Sequence, residues 1–297
     1  MFEALFPFLR RRPDLVIVQG DTSSALAGAL AAVAARVPLA HVEAGLRSHD
    51  VRHPWPEEEY RRRIDAEADL LFAPTEVAAQ NLRREHVPGI IHVTGNTGID
   101  ALMQIEAELP PRQLRETGTF RLLVTCHRRE NWGIPLAALA RALRTLAADP
   151  RFRIEIVLHP NPEVARTLED SLGDIRNVFL SLPCSHRELV EKARDSDLVL
   201  SDSGGLQEEA PALGTPLLIL RDKTERPEGI ATGNSRLIGL EEHRIVTAVR
   251  ELAHDPAALA NMSRRSFPYG DGTAARMIAD VVHNWLSQRT GSHLRTG

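Results

Sequence analysis

The chain is 297 residues long, with 43% apolar and 26% charged side chains, the make-up of an ordinary globular protein. That length sets a prior of about two domains, and the apolar fraction supplies a real core, which excludes disordered, collagen-like and small disulfide-stapled scaffolds. Its 36 basic and 40 acidic side chains leave a formal net charge of −4, so nothing global points to nucleic acid and a phosphate ligand requires a local site.

At the N-terminus the apolar residues precede Arg10, Arg11 and Arg12, the reverse of a secretory signal. The first strand is expected over Leu15–Val18, a short apolar run suited to burial on both faces. A turn at Gly20, Asp21 and Thr22 then opens an Ala-rich helix over 23–36, with a cap-type residue at its start. Its apolar stretch, Ala25–Ala35, is about half the length of a spanning helix. Further strands are expected at 38–42, 70–73 and 90–93, separated by helices around 57–68 and 75–86. The second half repeats the scheme with strands at 121–125, 154–158, 178–181, 198–201 and 217–220. Strands alternating with helices imply parallel βαβ units, hence two doubly wound α/β halves. A boundary is expected near 105–118, where Leu109, Pro110, Pro111 and Gly118 interrupt a polar stretch. Cys126 and Cys184 lack zinc spacing and a disulfide framework, so reduced thiols in a cytoplasm are expected, with no membrane or nucleic-acid partner.

In such sheets ligands bind beyond the carboxyl ends of the strands. The residues found there are Gly20-Asp21-Thr22, Glu43–Arg47, His127–Asn131, His159–Pro162, Asp202–Gly205 and Glu225–Glu228. The run from Asp202 to Glu209 is the sharpest phosphate candidate, because small residues at a strand-to-helix turn expose backbone N–H groups at a positive helix end. The blander alternative is an ordinary capped turn with Glu208 and Glu209 favouring the dipole. Arg226 is a guanidinium partner for a phosphate or for Glu209, or a solvated loop residue. Asp21, Glu43, Glu57 and His127 are acid/base candidates, since carboxylates gathered in a cleft shift one another's protonation. Taken singly, Asp21 reads as a helix cap, Glu57 as a first-turn residue and His127 as part of a solvated basic stretch.

Three patterns are set aside. Gly270–Ala275 fits a dinucleotide GxGxxA, but no strand precedes it, and it reads as a turn capping the last helix. Asp195-Ser196-Asp197 lies at the N-terminal end of a strand, away from the polar clusters. Arg61, Arg62 and Arg63 share a helix with Glu57–Glu59, which reads as a salt-bridged solvated face.

The runs Gly20–Thr22, His41–Arg47, Pro54–Glu58, Thr94–Thr97, His127–Asn131, Asp202–Gly205 with Gln207–Ala210, and Glu225–Glu228 together resemble the non-hydrolysing UDP-N-acetylglucosamine 2-epimerases, in order and in spacing. The resemblance implies two Rossmann-like domains as in GT-B glycosyltransferases. Residues 1–112 form a partial N-terminal domain, 113–268 a UDP-binding domain, and 269–297 a C-terminal helix packing back on the first. It implies interconversion of UDP-GlcNAc and UDP-ManNAc by elimination and readdition of UDP, in a homodimer that needs no metal or cofactor. Asp21, Glu43, Glu57 and His127 match the family's acid/base group. Ser203, Gly204 and Gly205 match its diphosphate turn, Glu209 a ribose-contacting carboxylate and Arg226 a site arginine.

The departures concern the start of the chain and the base pocket. Family members open with a strand and a Gly-Thr-Arg-Pro-Glu-type motif that has no counterpart here, and about three βα units of roughly 25–30 residues each are expected to be absent. Leu182–His186 lacks an aromatic residue that members place near the base, and Tyr60 stands where Asn is usual. Two other readings stay open: an inactive nucleotide-sugar-binding remnant, and a hydrolysing relative releasing ManNAc and UDP. The acidic run Pro54–Glu58 argues against an ordinary glycosyltransferase.

Overall fold

The computed structural model describes residues 9–50, 55–112 and 118–293. Pro54 of the acidic motif and part of the expected boundary lie outside them. The elements of the first half are β1 (Val16–Gln19), α1 (Ser23–Ala35), β2 (Leu39–Val42), α2 (Glu57–Glu67), β3 (Leu70–Ala73), α3 (Glu76–Arg84), β4 (Ile90–Val93) and α4 (Thr97–Glu108). Then come β5 (Phe120–Thr125), a 3-10 turn (Arg129–Asn131), α5 (Ile134–Ala147), β6 (Phe152–Val157), α6 (Pro162–Leu172), β7 (Val178–Ser181) and α7 (His186–Asp195). The chain continues through β8 (Leu198–Ser201), α8 (Gly204–Leu213), β9 (Leu217–Ile219), α9 (Glu228–Ala231), β10 (Ser235–Leu237), α10 (Glu242–His254), α11 (Pro256–Met262) and α12 (Ala274–His293).

The chain divides into two compact units, Met1–Ala101 with Tyr269–Gly297, and Leu102–Pro268. In the first, a parallel sheet runs in the order β1-β2-β3-β4. Every residue of β2 and β3 is buried, as a continuous apolar run requires when helices cover both faces. On one face, Ala25, Ala29 and Ala32 of α1 pack with Ile64 of α2 and Leu82 of α3. On the other, Ile278, Val281, Val282 and Trp285 of α12 pack on Ala40, Val42, Leu70 and Phe72. The Gly270–Ala275 run is a turn before α12, whose first N–H groups are capped by Asp100: Ala274 and Ala275 donate to its two oxygens at 3.2 and 2.8 Å.

In the second unit the order is β10-β9-β8-β5-β6-β7, all parallel. The chain leaves β5 toward β6 and β7, then returns to build β8, β9 and β10 on the other side. The β5/β8 junction is therefore the switch point where a doubly wound sheet opens a crevice beyond its strand ends. Two of the polar clusters, after β5 and after β8, meet there. Strand β10 was not among the expected strands, because Ser235-Arg236-Leu237 has no apolar run to announce it. Among the described residues, no helix is long and apolar enough to cross a membrane.

Candidate active site

In the first unit the site is built on the turns that follow β1 and β2. Gly20 has φ +70°, a conformation that costs glycine nothing, and its N–H donates to Val42 O at 3.1 Å. The helix cap is not Asp21, as its position suggested, but Thr22, whose Oγ1 accepts from Ala25 N at 3.2 Å. Asp21 is thereby left to project its carboxylate onto Arg61, which donates to Oδ2 from Nε at 3.1 Å and from Nη2. Arg61 also donates from Nη1 to Glu58 Oε2 at 3.1 Å. This corrects the reading of Arg61–Arg63 as a solvated face: Arg62 and Arg63 are exposed, but Arg61 and Glu58 are buried. Helical spacing explains the split, since Glu58 and Arg61 are three residues apart on the inward side.

Glu43 is half-buried and holds φ 69°, in the left-handed region that non-glycine residues rarely enter and that marks functional turns. Its Oε2 lies 3.4 Å from where a Cβ on Gly20 would stand, so the Glu43 carboxylate rests against the turn that carries Asp21. Glu57 is the first residue of α2, as its reading as a first-turn residue expected, and is half-buried.

Beneath these turns runs a chain of polar and charged groups, buried at His41, Asp65 and Arg47. His41 Nε2 lies 3.0 Å from Gly20 O and Nδ1 lies 2.6 Å from Asp65 Oδ1. Asp65 Oδ2 accepts from Gly45 N at 3.2 Å and pairs with Arg47 Nη2 at 2.8 Å. Arg47 in turn donates to Glu85 at 2.9 and 2.6 Å. Burial alone would raise the Asp65 carboxyl, but His41 and Arg47 outweigh it and hold it below the usual range. The network links the turn after β1 to the turn after β2, so the backbones that carry Asp21 and Glu43 are tied to one fixed frame. Sequence reading missed it, although a histidine and an arginine inside otherwise apolar or small runs were the available signal.

In the second unit Asp202 is the organising residue. It is fully buried at the end of β8 and accepts backbone N–H groups from His127 (3.1 Å) and Arg128 (2.9 Å) and the Asn131 amide (2.8 Å). His127 Nδ1 lies 3.0 Å from its Oδ1. Burial would raise the Asp202 carboxyl, but the His127 imidazole and these donors hold it well below the usual range. His127, with 46% of its side chain exposed, is thus not a free member of a basic stretch. Asp202 anchors it beside the turn after β8.

That turn starts α8. Ser203 caps it through Leu206 N at 3.4 Å, leaving Gly204 and Gly205 in the first turn, where backbone N–H groups have no helical partner. A Cβ on Gly204 would stand 3.0 Å from Arg226 Cζ, so only glycine lets the Arg226 guanidinium lie against the helix start. Arg226 pairs with Glu208 (Nε–Oε1, 2.5 Å) and with Glu225. It does not pair with Glu209, the partner the sequence suggested, and with 11% of its side chain exposed it is not a solvated loop residue. Glu225 also holds Arg221 at 2.9 Å, and Arg128 lies 3.6 Å from it. Burial would raise the Glu225 carboxyl, but the Arg226 and Arg221 charges keep it well below the usual range. Arg221 Nη1 has no hydrogen-bond partner among the described residues. Glu208 and Glu209 lie beyond the first turn, so neither serves as a dipole charge: Glu208 takes Arg226, and Glu209 Oε1 lies 2.7 Å from His186 Nε2. The result is a concentration of cation and N–H donors at a helix start, the physical requirement of a phosphate site. Among the described residues, no group of three or more His, Cys, Asp or Glu is arranged to hold a metal ion.

Residues 4–283 match the UDP-N-acetylglucosamine 2-epimerase family. The chain belongs to that family. It is 41% identical to the UDP-N-acetylglucosamine 2-epimerase of Salmonella typhimurium over 96% of its own length and 80% of that protein's. Among solved structures, it is similar to the UDP-GlcNAc 2-epimerase of Neisseria meningitidis bound to UDP-GlcNAc. The identity is 38% and the TM-score 0.88, covering 95% of this chain and 80% of that one. It is similar also to S. aureus MnaA in complex with UDP, with 37% identity and a TM-score of 0.90, over 96% and 80% of the two chains. The two parallel-sheet α/β units described above are the fold class of these epimerase structures.

Proposed function

We propose that this epimerase-family chain interconverts UDP-GlcNAc and UDP-ManNAc by elimination and readdition of UDP, as a cytoplasmic homodimer. The observation that carries the reading is the α8 start, where Gly204 and Gly205 present N–H groups beside the Arg226 guanidinium. This is the charge arrangement that a nucleotide diphosphate needs, in a chain whose relatives are named for a UDP-sugar.

In the forward step a base takes the proton from C2 while the C1–O bond breaks, its electron pair leaving with UDP. The C2–H electrons form the C1–C2 double bond of a glycal-type intermediate. In the return step a proton reaches C2 from the opposite face, and a diphosphate oxygen of UDP forms the new bond to C1. C2 carries no adjacent carbonyl, so stabilising the departing diphosphate must supply much of the rate. One well-aimed donor contributes about 3–4 kcal/mol. Arg226, the N–H groups of Gly204 and Gly205 and the Ser203 side chain are assigned to that task. Glu209 receives the ribose.

The proton-transfer work is assigned to Asp21, Glu43, Glu57 and His127. Two features of their surroundings favour it. Arg61 aims the Asp21 carboxylate, and Asp202 fixes the ring of His127. The test is proton NMR of UDP-GlcNAc with folded protein in D2O. Loss of the C2 proton signal with growth of UDP-ManNAc is expected. An unchanged spectrum overturns the reading, and free ManNAc with UDP identifies hydrolysis instead.

A further inference from the structure

We propose that His186 belongs to the nucleotide site: paired with Glu209, it neutralises that carboxylate and turns its second oxygen toward the ribose hydroxyls of a bound nucleoside diphosphate. The inference rests on the assignment of Glu209 to the ribose made above. Glu209 is 8% exposed, and an ionised carboxylate so close to a diphosphate site opposes the ligand unless a cation balances it. Its neighbour Glu208 has Arg226. For Glu209 the partner is His186, with Nε2 at 2.7 Å from Oε1. Among the described residues its other oxygen makes no hydrogen bond, and a carboxylate oxygen accepts what ribose hydroxyls donate.

The position of His186 is built independently of the pair. It is the first residue of α7, where Ser185 and Glu188 close a capping box: Glu188 N donates to Ser185 Oγ at 3.3 Å and Ser185 N to Glu188 Oε2 at 2.7 Å. This sets the helix start and presents the ring to α8. Of the other charges on α7, Arg187 is held by Glu108, Glu188 by Ser185, Lys192 by Glu155 and Arg194 by Asp195. Glu209 is therefore the carboxylate that acts on His186, and its hydrogen bond raises the imidazole above its ordinary value.

The consequence is a pH-dependent affinity for UDP. Below the raised value the pair is neutral overall. As pH rises through it the imidazolium is lost, Glu209 stands uncompensated, and UDP binding weakens. UDP binding is measured by calorimetry from about pH 6 to about pH 9, the range that brackets histidine, on the wild type, His186→Gln and Glu209→Gln. The wild type should lose about tenfold more affinity across this range than either variant, the equivalent of one pH unit of coupling. His186→Gln should also bind UDP more weakly than the wild type at the acid end. The titration of UDP itself is common to all three proteins and cancels. Parallel losses in wild type and variants, or equal affinity of His186→Gln and wild type at the acid end, overturn the proposal while leaving the epimerase reading intact. Absence of UDP binding by folded wild-type protein at every pH overturns both.

Discussion

Asp65 Oδ1 lies 2.6 Å from His41 Nδ1, and both side chains are wholly buried. The opposite ring nitrogen faces the carbonyl oxygen of Gly20, which can only accept, so His41 bridges the two with a fixed ring orientation. Through it the core of the first unit holds the backbone from which Asp21 projects.

Removing the charge at the centre of that bridge should be costly. In Asp65→Asn, Arg47 keeps Glu85 but loses its buried partner, and His41 loses its carboxylate. The expected loss is about 3–5 kcal/mol, the cost of breaking one partner out of a buried pair. A urea titration whose midpoint shift, multiplied by an unchanged slope, gave less than a quarter of this loss would show that the network contributes little to stability.

The acid/base assignment predicts a separation of chemistry from binding. Asp21→Asn, Glu43→Gln, Glu57→Gln and His127→Asn should each lower kcat by about 10²–10⁴. UDP affinity, set by the α8 start, should remain measurable in all of them. Deuterium incorporation at C2 reads the chemistry directly. A variant that keeps wild-type exchange removes that residue from the group.

At Gly204 the prediction runs the other way. A methyl group there would stand 3.0 Å from the Arg226 guanidinium carbon, so the side chain must withdraw from the helix start. Gly204→Ala should fold and lose about 1.5–3 kcal/mol of UDP affinity, the scale of one charge-assisted hydrogen bond. Calorimetry showing wild-type affinity would detach Arg226 from the diphosphate.

Acid should act on Asp202. Its carboxyl is held below its ordinary value in the folded protein, so its contribution is present above the unfolded value of about 3.9 and is lost as pH falls through the folded one. At neutral pH Asp202→Asn should cost about 1.5–3 kcal/mol. The gap between wild type and variant should close only well below pH ~4. Thermal melts at a series of pH values measure it, and a gap that closes already near neutrality contradicts the assignment.

Much of this protein was legible in one dimension. Apolar runs such as Leu70–Ala73 and Leu198–Ser201 mark buried parallel strands because both of their faces must be covered. The small residues after them mark turns because a helix start needs exposed N–H groups. Hence the alternating α/β organisation, the polar clusters at strand ends and the family likeness were all readable in order along the chain. What the sequence could not decide is which charge meets which. Asp21 and Arg61 are 40 residues apart, His127 and Asp202 are 75 apart, and His186 and Glu209 are 23 apart. Each pair forms only when separate βα units stack their turns at one edge of a sheet. Burial then makes the pairing compulsory, because a charge taken out of water must find a partner there. The periodicity of the side chains encodes the strands and helices, and the cost of an unpaired buried charge selects the contacts among them.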